Sequence, residues 1–234
     1  MQEQGLCKGQ KYLVTGASGF IGSAVCRRLL QLGATVHGTG RREVELEEPL
    51  WSYSAADLTD SEAVDQLIGE QRPDFVIHLA SCVTGRRELE WVRETFAANL
   101  QSAVNILVAA QQAGVAKTVL AGSLEEPDPA EAEPIPASPY SASKWCASGY
   151  ARMMHALYGT RIATARIFMV YGPGQRDLRK LVPYVSLCAA RGEAPQLMSG
   201  GRPVDWIYID DVVDGLIRMS MAGPDDGSYV DLGS

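Results

Sequence analysis

The chain is poor in the residues that build metal centres and covalent staples. Its 234 residues include only three histidines, His37, His78 and His155, and five cysteines, Cys7, Cys26, Cys82, Cys146 and Cys188. The cysteines are odd in number, far apart and form no Cys-x-x-Cys pair, which argues against a disulfide framework or a zinc site. Several fall within apolar stretches, where a thiol packs as a small hydrophobe. His78 stands inside the apolar run Phe75-Val76-Ile77-His78-Leu79 and reads as a strand residue rather than a ligand. No uninterrupted apolar run reaches the ~18 residues a membrane span requires. Met1 to Gln10 lack the basic-then-apolar pattern of a secretory signal, so a cytoplasmic location is expected. Excess positive charge is missing as well. A formal net charge of -7 repels polyanions and argues against nucleic acid as a partner. A small phosphorylated ligand stays compatible, because local amides and a few arginines can hold it against the global field.

What the chain does contain is an alternation of short apolar runs with longer amphipathic ones. Lys11 to Thr15, Thr35 to Thr39, Phe75 to Ala80, Lys117 to Ala121 and Arg161 to Val170 read as strands. Phe20 to Leu32, Ser61 to Glu70, Glu88 to Ala113 and Tyr140 to Tyr158 read as helices. Asp60 is placed to cap the second helix, and Gly114 to end the third. Nearly continuous apolar strands alternating with helices predict an α/β fold, a Rossmann-type doubly wound parallel sheet covered on both faces. The segment from Glu125 to Pro139, rich in Pro, Glu and Ala, is expected to be a surface loop.

Two stretches carry chemistry. Thr15-Gly16-Ala17-Ser18-Gly19-Phe20-Ile21-Gly22 follows the first strand and opens the first helix, with glycines at Gly-x-x-Gly-x-x-Gly spacing. Gly16 suits the tight exit from the strand, Gly19 a close approach of backbone to pyrophosphate, and Gly22 close packing of helix on sheet. Ser18, Phe20 and Ile21 share that turn, whose amides and helix dipole favour phosphate. A bare glycine-rich turn is the plainer alternative, and its place at the first strand–helix junction favours the dinucleotide. The second strand ends His37-Gly38-Thr39-Gly40-Arg41-Arg42, with no acid at its tip to hold ribose hydroxyls. Arg41 and Arg42 can pair with a 2′-phosphate, which favours NADP over NAD. The alternative is that both are solvated loop charges, one of them neutralised by Glu43. In Tyr140-Ser141-Ala142-Ser143-Lys144 a tyrosine and a lysine share one helix face. The ammonium is expected to lower the tyrosine pKa and prepare Tyr140 for proton transfer at a sugar oxygen, with Ser123 at the preceding strand end completing the site.

These pieces resemble the extended short-chain dehydrogenase/reductase family, its nucleotide-sugar epimerase, dehydratase and ketoreductase group. The resemblance rests on Thr15 to Gly22, Asp57-Leu58, His78-Leu79-Ala80-Ser81, Asn99, Gly122-Ser123, Tyr140 to Lys144, Tyr171-Gly172-Pro173-Gly174-Gln175 and Asp205 to Val213, in the family's order and over nearly the whole chain. It implies that Asp57 holds the adenine amino group with Leu58 beside the ring. Leu79, Ala80 and Ser81 would line the cofactor, and Lys144 would bond the nicotinamide ribose. Asn99 would stand behind the site. Ser123 and Tyr140 would meet the reacting oxygen. Bland roles stand beside these: Asp57 as a turn cap, Asn99 satisfying buried backbone, Ser123 merely ending a strand. The resemblance also implies a homodimer paired through the helices carrying Asn99 and Tyr140. Residues 8–170 are then expected to form the dinucleotide-binding domain. Residues 171–234 would begin a substrate lobe, interleaved with a late sheet strand and truncated or unusually small, since family members continue further.

Family dehydratases carry an Asp-Glu pair after the catalytic Ser or Thr, and Leu124 and Glu125 stand there instead. The run Gly122 to Glu126 resembles reductases of 4-keto-6-deoxy sugars. With the arginines after the second strand, it points to NADP(H)-dependent reduction of a keto group on a nucleotide-linked sugar. The alternative is an epimerase or dehydratase with tightly bound NAD. A non-catalytic dinucleotide sensor and a reductase of non-sugar carbonyls come after these. Phe168-Met169 replaces the family's Phe-Asn, and Val204 replaces an arginine that holds diphosphate. Glu125, Arg176 and Arg202 are the substrate-binding candidates; Arg179 could also serve, while Arg86 and Arg87 stand in a loop. For all these arginines a surface role is the plain alternative.

Overall fold

The computed structural model describes residues 6–42, 47–128, 133–197, 201 and 204–233. Seven strands form one parallel sheet: β1 (Lys11–Thr15), β2 (Thr35–Gly40), β3 (Trp51–Ala55), β4 (Phe75–His78), β5 (Lys117–Ser123), β6 (Ile162–Ile167) and β9 (Asp226–Leu232). Their order is β3-β2-β1-β4-β5-β6-β9. A second, parallel pair consists of β7 (Met169–Tyr171) and β8 (Trp206–Tyr208). The helices are α1 (Phe20–Gln31), α2 (Ser61–Gln71), α3 (Glu90–Thr95), α4 (Ser102–Gln112), α5 (Pro139–Tyr158), α6 (Leu181–Arg191) and α7 (Ile209–Met221).

Strand period two divides the core. On β1, Tyr12 and Val14 face α1 and α7, where Val25, Leu29, Val212 and Leu216 are fully buried. Leu13, on the opposite face, packs with Val64, Ile68 and Ile106 of α2 and α4. Leu120 and Ile162 pack on Leu107, Ala151 and Met154 of α4 and α5. The chain thus crosses to opposite faces on leaving β1 and β4, and the gap between their C-terminal ends is the topological switch point.

Local signals explain the helix ends. The Asp60 carboxylate accepts from the amides of Glu62 (2.9 Å) and Ala63 (3.3 Å), capping α2 as expected. Gly114, at φ +69°, follows α4. Ser138 caps α5 through the Ser141 amide at 3.1 Å, with Pro139 at the first helical position. The long helix expected over Glu88 to Ala113 runs continuously from α3 into α4, interrupted by a π-helical turn at Phe96–Gln101. Such turns insert a residue and reorient side chains, often at functional sites.

The strand expected over Arg161 to Val170 is divided. The Phe168 amide still donates to Leu232 (3.1 Å) of β9, but that of Met169 turns to Asp205 (3.2 Å). The chain leaves the main sheet at this point and pairs with β8. Between α6 and β9 it returns through α7, whose Ile209, Val212, Val213, Leu216 and Ile217 form an unbroken buried stripe. A helix laid over β5, β4 and β6 in this way belongs to the main core, although its residues come late in the chain. Leu216 is fully buried. Leu216→Ala is therefore expected to lower the unfolding free energy by about 2–5 kcal/mol, measured by urea denaturation.

Candidate active site

The glycine turn sits at the switch point with backbone packed on backbone. Gly16 has φ +67°, and a Cβ there would lie 2.8 Å from the Ala80 nitrogen. A Cβ at Gly22 would drive into the Gly16 carbonyl, 2.8 Å from its carbon. Gly19 precedes α1 in an extended conformation, and no side chain caps the helix. Phe20, Ile21 and Gly22 thus offer a first turn of amides at the positive end of the dipole. Ser18 is half-buried beside Gly40 at the tip of β2. The Thr15 hydroxyl accepts from the amides of Leu79 and Ala80, both at 3.1 Å, and so donates its own proton to His78 Nδ1 at 2.8 Å. That leaves the His78 proton on Nε2. Burial pushes this histidine down to about 3, helped by the nearby Lys144 charge, so it stays neutral.

An uncapped helix end, a glycine cradle and the C-terminal ends of β1, β2 and β4 fit a dinucleotide pyrophosphate. Around this cradle, Leu79, Ala80 and Ser81 are half-buried in the segment leaving β4. Asp57 is exposed after β3, and its carboxylate accepts from the Thr59 amide (2.9 Å) and hydroxyl (2.8 Å). These bonds, and the charge of Arg41 to a lesser degree, hold its pKa below the usual carboxylate range. Leu58 is buried, with its carbonyl accepting from Asn105 at 3.0 Å. Arg41 and Arg42 are both exposed. Arg41 lies close enough to act electrostatically on Asp57 and Cys82, while the Arg42 carbonyl accepts from Tyr53. Glu43 lies outside the described residues.

Ser123, Tyr140 and Lys144 converge although the first is separated from the others by a long loop. The Ser123 side chain stands near enough to the Tyr140 phenol to favour its ionised form. Lys144 Nζ donates to the Ala121 carbonyl at 2.9 Å and stands 6.0 Å from the Tyr140 ring centre. The expectation that Lys144 would lower the tyrosine pKa is corrected here. Burial pushes Tyr140 up to about 12, with Glu125, Glu126 and Cys82 adding to the rise and Ser123 opposing it. Burial also pushes Lys144 down to about 8, against the pull of Glu126. Desolvation disfavours both charged forms and outweighs the effect of their proximity.

Asn99 lies on the π-helical turn and is almost wholly buried. Its carbonyl oxygen accepts from Ser81 Oγ (3.0 Å) and the Cys82 amide (2.7 Å). Its amide donates to the Cys82 carbonyl (3.2 Å) and Ser143 Oγ (2.9 Å), and Ser143 in turn donates to the Tyr140 carbonyl at 2.7 Å. One amide side chain therefore ties the segment after β4 to the helix bearing Tyr140. Of the substrate candidates, Glu125 is exposed beside the cluster, its amide donating to Ser123 Oγ at 3.2 Å. Arg176 is exposed after β7. Arg179 is paired with Asp177 at 2.8 Å, and Arg86 covers the Trp91 ring at 5.1 Å. Arg202 lies outside the described residues.

Sequence reasoning missed Glu126. It is buried while its neighbour Glu125 is exposed, and its carboxylate accepts from the Ser123 amide at 2.7 Å. Two adjacent glutamates in a turn offer no periodicity to tell which folds inward. Among the described residues there is no cluster of metal-binding side chains, and no helix long and apolar enough to cross a membrane.

A model of the "NAD dependent epimerase/dehydratase family" matches residues 12–230. The chain is similar to a "Probable UDP-glucuronate 4-epimerase" of Rhizobium meliloti (strain 1021), at 30% identity over 94% of this chain and 71% of that protein. It also resembles the solved epimerase Mth375 of Methanothermobacter thermautotrophicus, with TM-score 0.82 and 27% identity over 100% of this chain and 74% of the other. The Bordetella bronchiseptica enzyme WbmF in complex with NAD+ and UDP gives TM-score 0.86 at 25% identity, covering 98% of this chain and 74% of that one.

The pKa of Lys144 yields a stability test. Below about 8 both folded and unfolded chains carry the proton, and the fold bears the full cost of a buried ammonium. Between that value and the ordinary 10.5 the unfolded chain binds more protons, so this residue makes stability rise with pH. Lys144→Met is therefore expected to raise the thermal midpoint near pH 7 by a few degrees, with the gain shrinking as pH rises. Thermal denaturation of the protein without added nucleotide, in neutral and in alkaline buffer, measures this. An equal gain at both would contradict a buried ammonium.

Proposed function

The chain belongs to the NAD dependent epimerase/dehydratase family, and from that premise we propose that it is a nucleotide-sugar epimerase with tightly held NAD. The observation that carries the proposal is the meeting of Ser123, Tyr140 and Lys144 beside an uncapped helix N-terminus at the switch point of the sheet. When bound, NAD supplies reversible acceptance and return of a hydride at a sugar carbon. The chain does the rest. The first turn of α1 holds the pyrophosphate, with Gly16, Ser18, Gly19, Phe20, Ile21 and Gly22 in the cradle. Asp57, Leu58, Leu79, Ala80 and Ser81 line the remaining path, and Lys144 holds the ribose. Tyr140 takes the proton of the sugar hydroxyl as that carbon is oxidised, and returns it when the opposite face is reduced, so no proton is consumed overall. Ser123 hydrogen-bonds the same sugar oxygen, and the Lys144 ammonium supports the transient phenolate. Asn99 acts by holding Ser81, Cys82 and the helix of Tyr140 in place.

Sequence motifs alone ranked NADP-dependent ketoreduction of a nucleotide sugar first. That order is reversed here: a UDP-glucuronate 4-epimerase and an epimerase structure among the relatives, with NAD+ and UDP bound in WbmF, support the epimerase. Dehydration is disfavoured by Leu124, which cannot serve as the acid that sugar dehydration uses beside the catalytic hydroxyl. Ketoreduction with NADPH is the second reading, and the exposed Arg41 and Arg42 after β2 favour it. The proposed domain plan assigns residues 8–170 to the cofactor and 171–234 to the start of the substrate lobe, with α7 and β9 returning to the main sheet. A homodimer is proposed through the helices carrying Asn99 and Tyr140, which border an apolar groove of about 510 Å³ lined by Val92, Phe96, Leu100, Pro139 and Cys146.

Tyr140→Phe is expected to lower kcat for interconversion of UDP-hexoses or UDP-glucuronate by about 10²–10⁴-fold. NAD affinity should stay nearly unchanged. Proton NMR of the sugar anomers follows turnover, and full retention would remove Tyr140 from the chemistry. Fluorescence titration of the purified chain with NADH and NADPH separates the two readings. Tighter NADH binding is expected, whereas a clear preference for NADPH moves ketoreduction to first place and gives Arg41 the 2′-phosphate.

A further inference from the structure

A buried carboxylate lies next to the reacting cluster without a part in the proton transfer described above. Glu126 accepts from the Ser123 amide (2.7 Å) at one oxygen, and from Ser148 Oγ (2.8 Å) and the Tyr229 hydroxyl (3.0 Å) at the other. These contacts come from β5, α5 and β9, so the side chain joins three elements around the catalytic serine. We propose that Glu126 is a positioning residue of the active site, anchoring Ser123 and providing the fixed negative charge that keeps Lys144 an ammonium.

The donor set argues for a carboxylate in particular. The Ser123 amide can only donate and the two hydroxyls each have a hydrogen to give, Ser148 sharing its own with the Lys144 carbonyl at 3.2 Å, so an ionised carboxylate can accept from all three. The room for it is made by Gly122, where a Cβ would stand 2.6 Å from Glu126 Oε1. The bond from the Ser123 amide fixes the backbone of the residue whose hydroxyl meets Tyr140. The charge argument follows from the surroundings. From α5, Lys144 and Tyr140 face the carboxylate, and both feel it electrostatically. From β6, Arg166 lies within its field but is committed to Asp231 of β9 by hydrogen bonds of 2.6 and 2.7 Å, and covers the Tyr229 ring at 5.4 Å. From β4, the neutral His78 lies near Lys144, and Glu125 stands in the same turn. Lys144 is in salt-bridge contact with no carboxylate among the described residues, and it spends a hydrogen bond on the Ala121 carbonyl. A buried ammonium without a compensating charge sheds its proton. Glu126, held by its three hydrogen bonds and acting on Lys144 through its field, supplies that compensation without forming a closed ion pair that would tie up the ammonium.

The inference deepens the epimerase reading and rests on it for the role of Ser123, but its first test needs no substrate. Protein labelled with ¹³C,¹⁵N-lysine is titrated by NMR, the Lys144 signal being assigned by its loss in Lys144→Met. Glu126→Gln preserves shape, since its carbonyl can accept from Ser123 and its amide can donate to the two hydroxyls. It is expected to lower the Lys144 midpoint by about one pH unit. Tyr229→Phe, which removes one bond and no charge, should leave that midpoint in place. The alkaline limb of kcat/KM for a UDP-sugar should move down with the Lys144 midpoint in Glu126→Gln. Glu126→Asp keeps the charge but shortens the arm to Ser123. It should lower kcat about tenfold to a hundredfold with NAD affinity retained, and it carries the test if the glutamine variant does not fold. An unmoved Lys144 midpoint in Glu126→Gln, or unchanged kcat in Glu126→Asp, overturns the proposal even in a proven epimerase. A lowered midpoint in a protein that turns over no nucleotide sugar supports Glu126 and defeats the epimerase reading instead.

Discussion

Where β1 gives way to α1, backbone rests on backbone with no side chain between. Gly22 lies against the Gly16 carbonyl, and Gly16 against the amide of Ala80 from the neighbouring segment. A single added methyl group at either position would force the helix away from the sheet or the β4 exit away from β1. That close approach decides much else. It aims the open amides of α1 into the gap between β1 and β4, where a phosphate would meet both dipole and donors. It also brings Thr15 within reach of Leu79, Ala80 and His78, so that one hydroxyl locks the two strand ends together. The crevice proposed for the cofactor is thus a by-product of how tightly the first crossover packs.

The catalytic half depends on a different balance. Tyr140, Lys144, His78 and Glu126 are all buried, and burial opposes charge on Tyr140, Lys144 and His78. A fold tolerates such a concentration when charges offset one another and most donors find acceptors, although the buried His78 Nε2 has no hydrogen-bond partner among the described residues. Here His78 gives up its charge, Lys144 keeps an ammonium that titrates at about 8, and Glu126 collects its three donors. A lysine poised near neutrality next to a phenol suits reversible proton transfer better than a fully solvated ion pair would.

Asn99 links the two halves. It stands on a π-helical turn, and the extra residue in that turn lets a helix side chain face Cys82 and Ser143 at once. The segment leaving β4 and the tyrosine helix are therefore referenced to the same amide. Its burial and complete hydrogen bonding agree with the plain role considered for it from the sequence, that of satisfying buried backbone.

The strands β1, β2, β4 and β5, the helices α1, α2, α4 and α5, and the caps at Asp60 and Gly114 were legible in the chain because they follow from local periodicity and turn chemistry. The glycine turn and the Tyr140–Lys144 spacing were legible for the same reason, since each lies within a few residues. Other elements were not. Strand β3, Trp-Ser-Tyr-Ser-Ala, sits half-exposed at the sheet edge and lacks the apolar run of a central strand. The break between β6 and β7 lies inside an apolar stretch that reads as one strand until Asp205 offers a different partner. The stripe of α7 was there to be found, but its packing on α1 connects residues far apart in sequence. The sequence by itself determined the glycine turn, the tyrosine–lysine face and the alternation that makes a parallel α/β sheet, because these are short-range patterns. Only the tertiary structure decided that Glu126 and not Glu125 turns inward, that burial rather than the nearby lysine governs Tyr140, and that Asn99 is spent on protein contacts. Those outcomes depend on desolvation and on partners supplied by distant strands, and no local spacing encodes either.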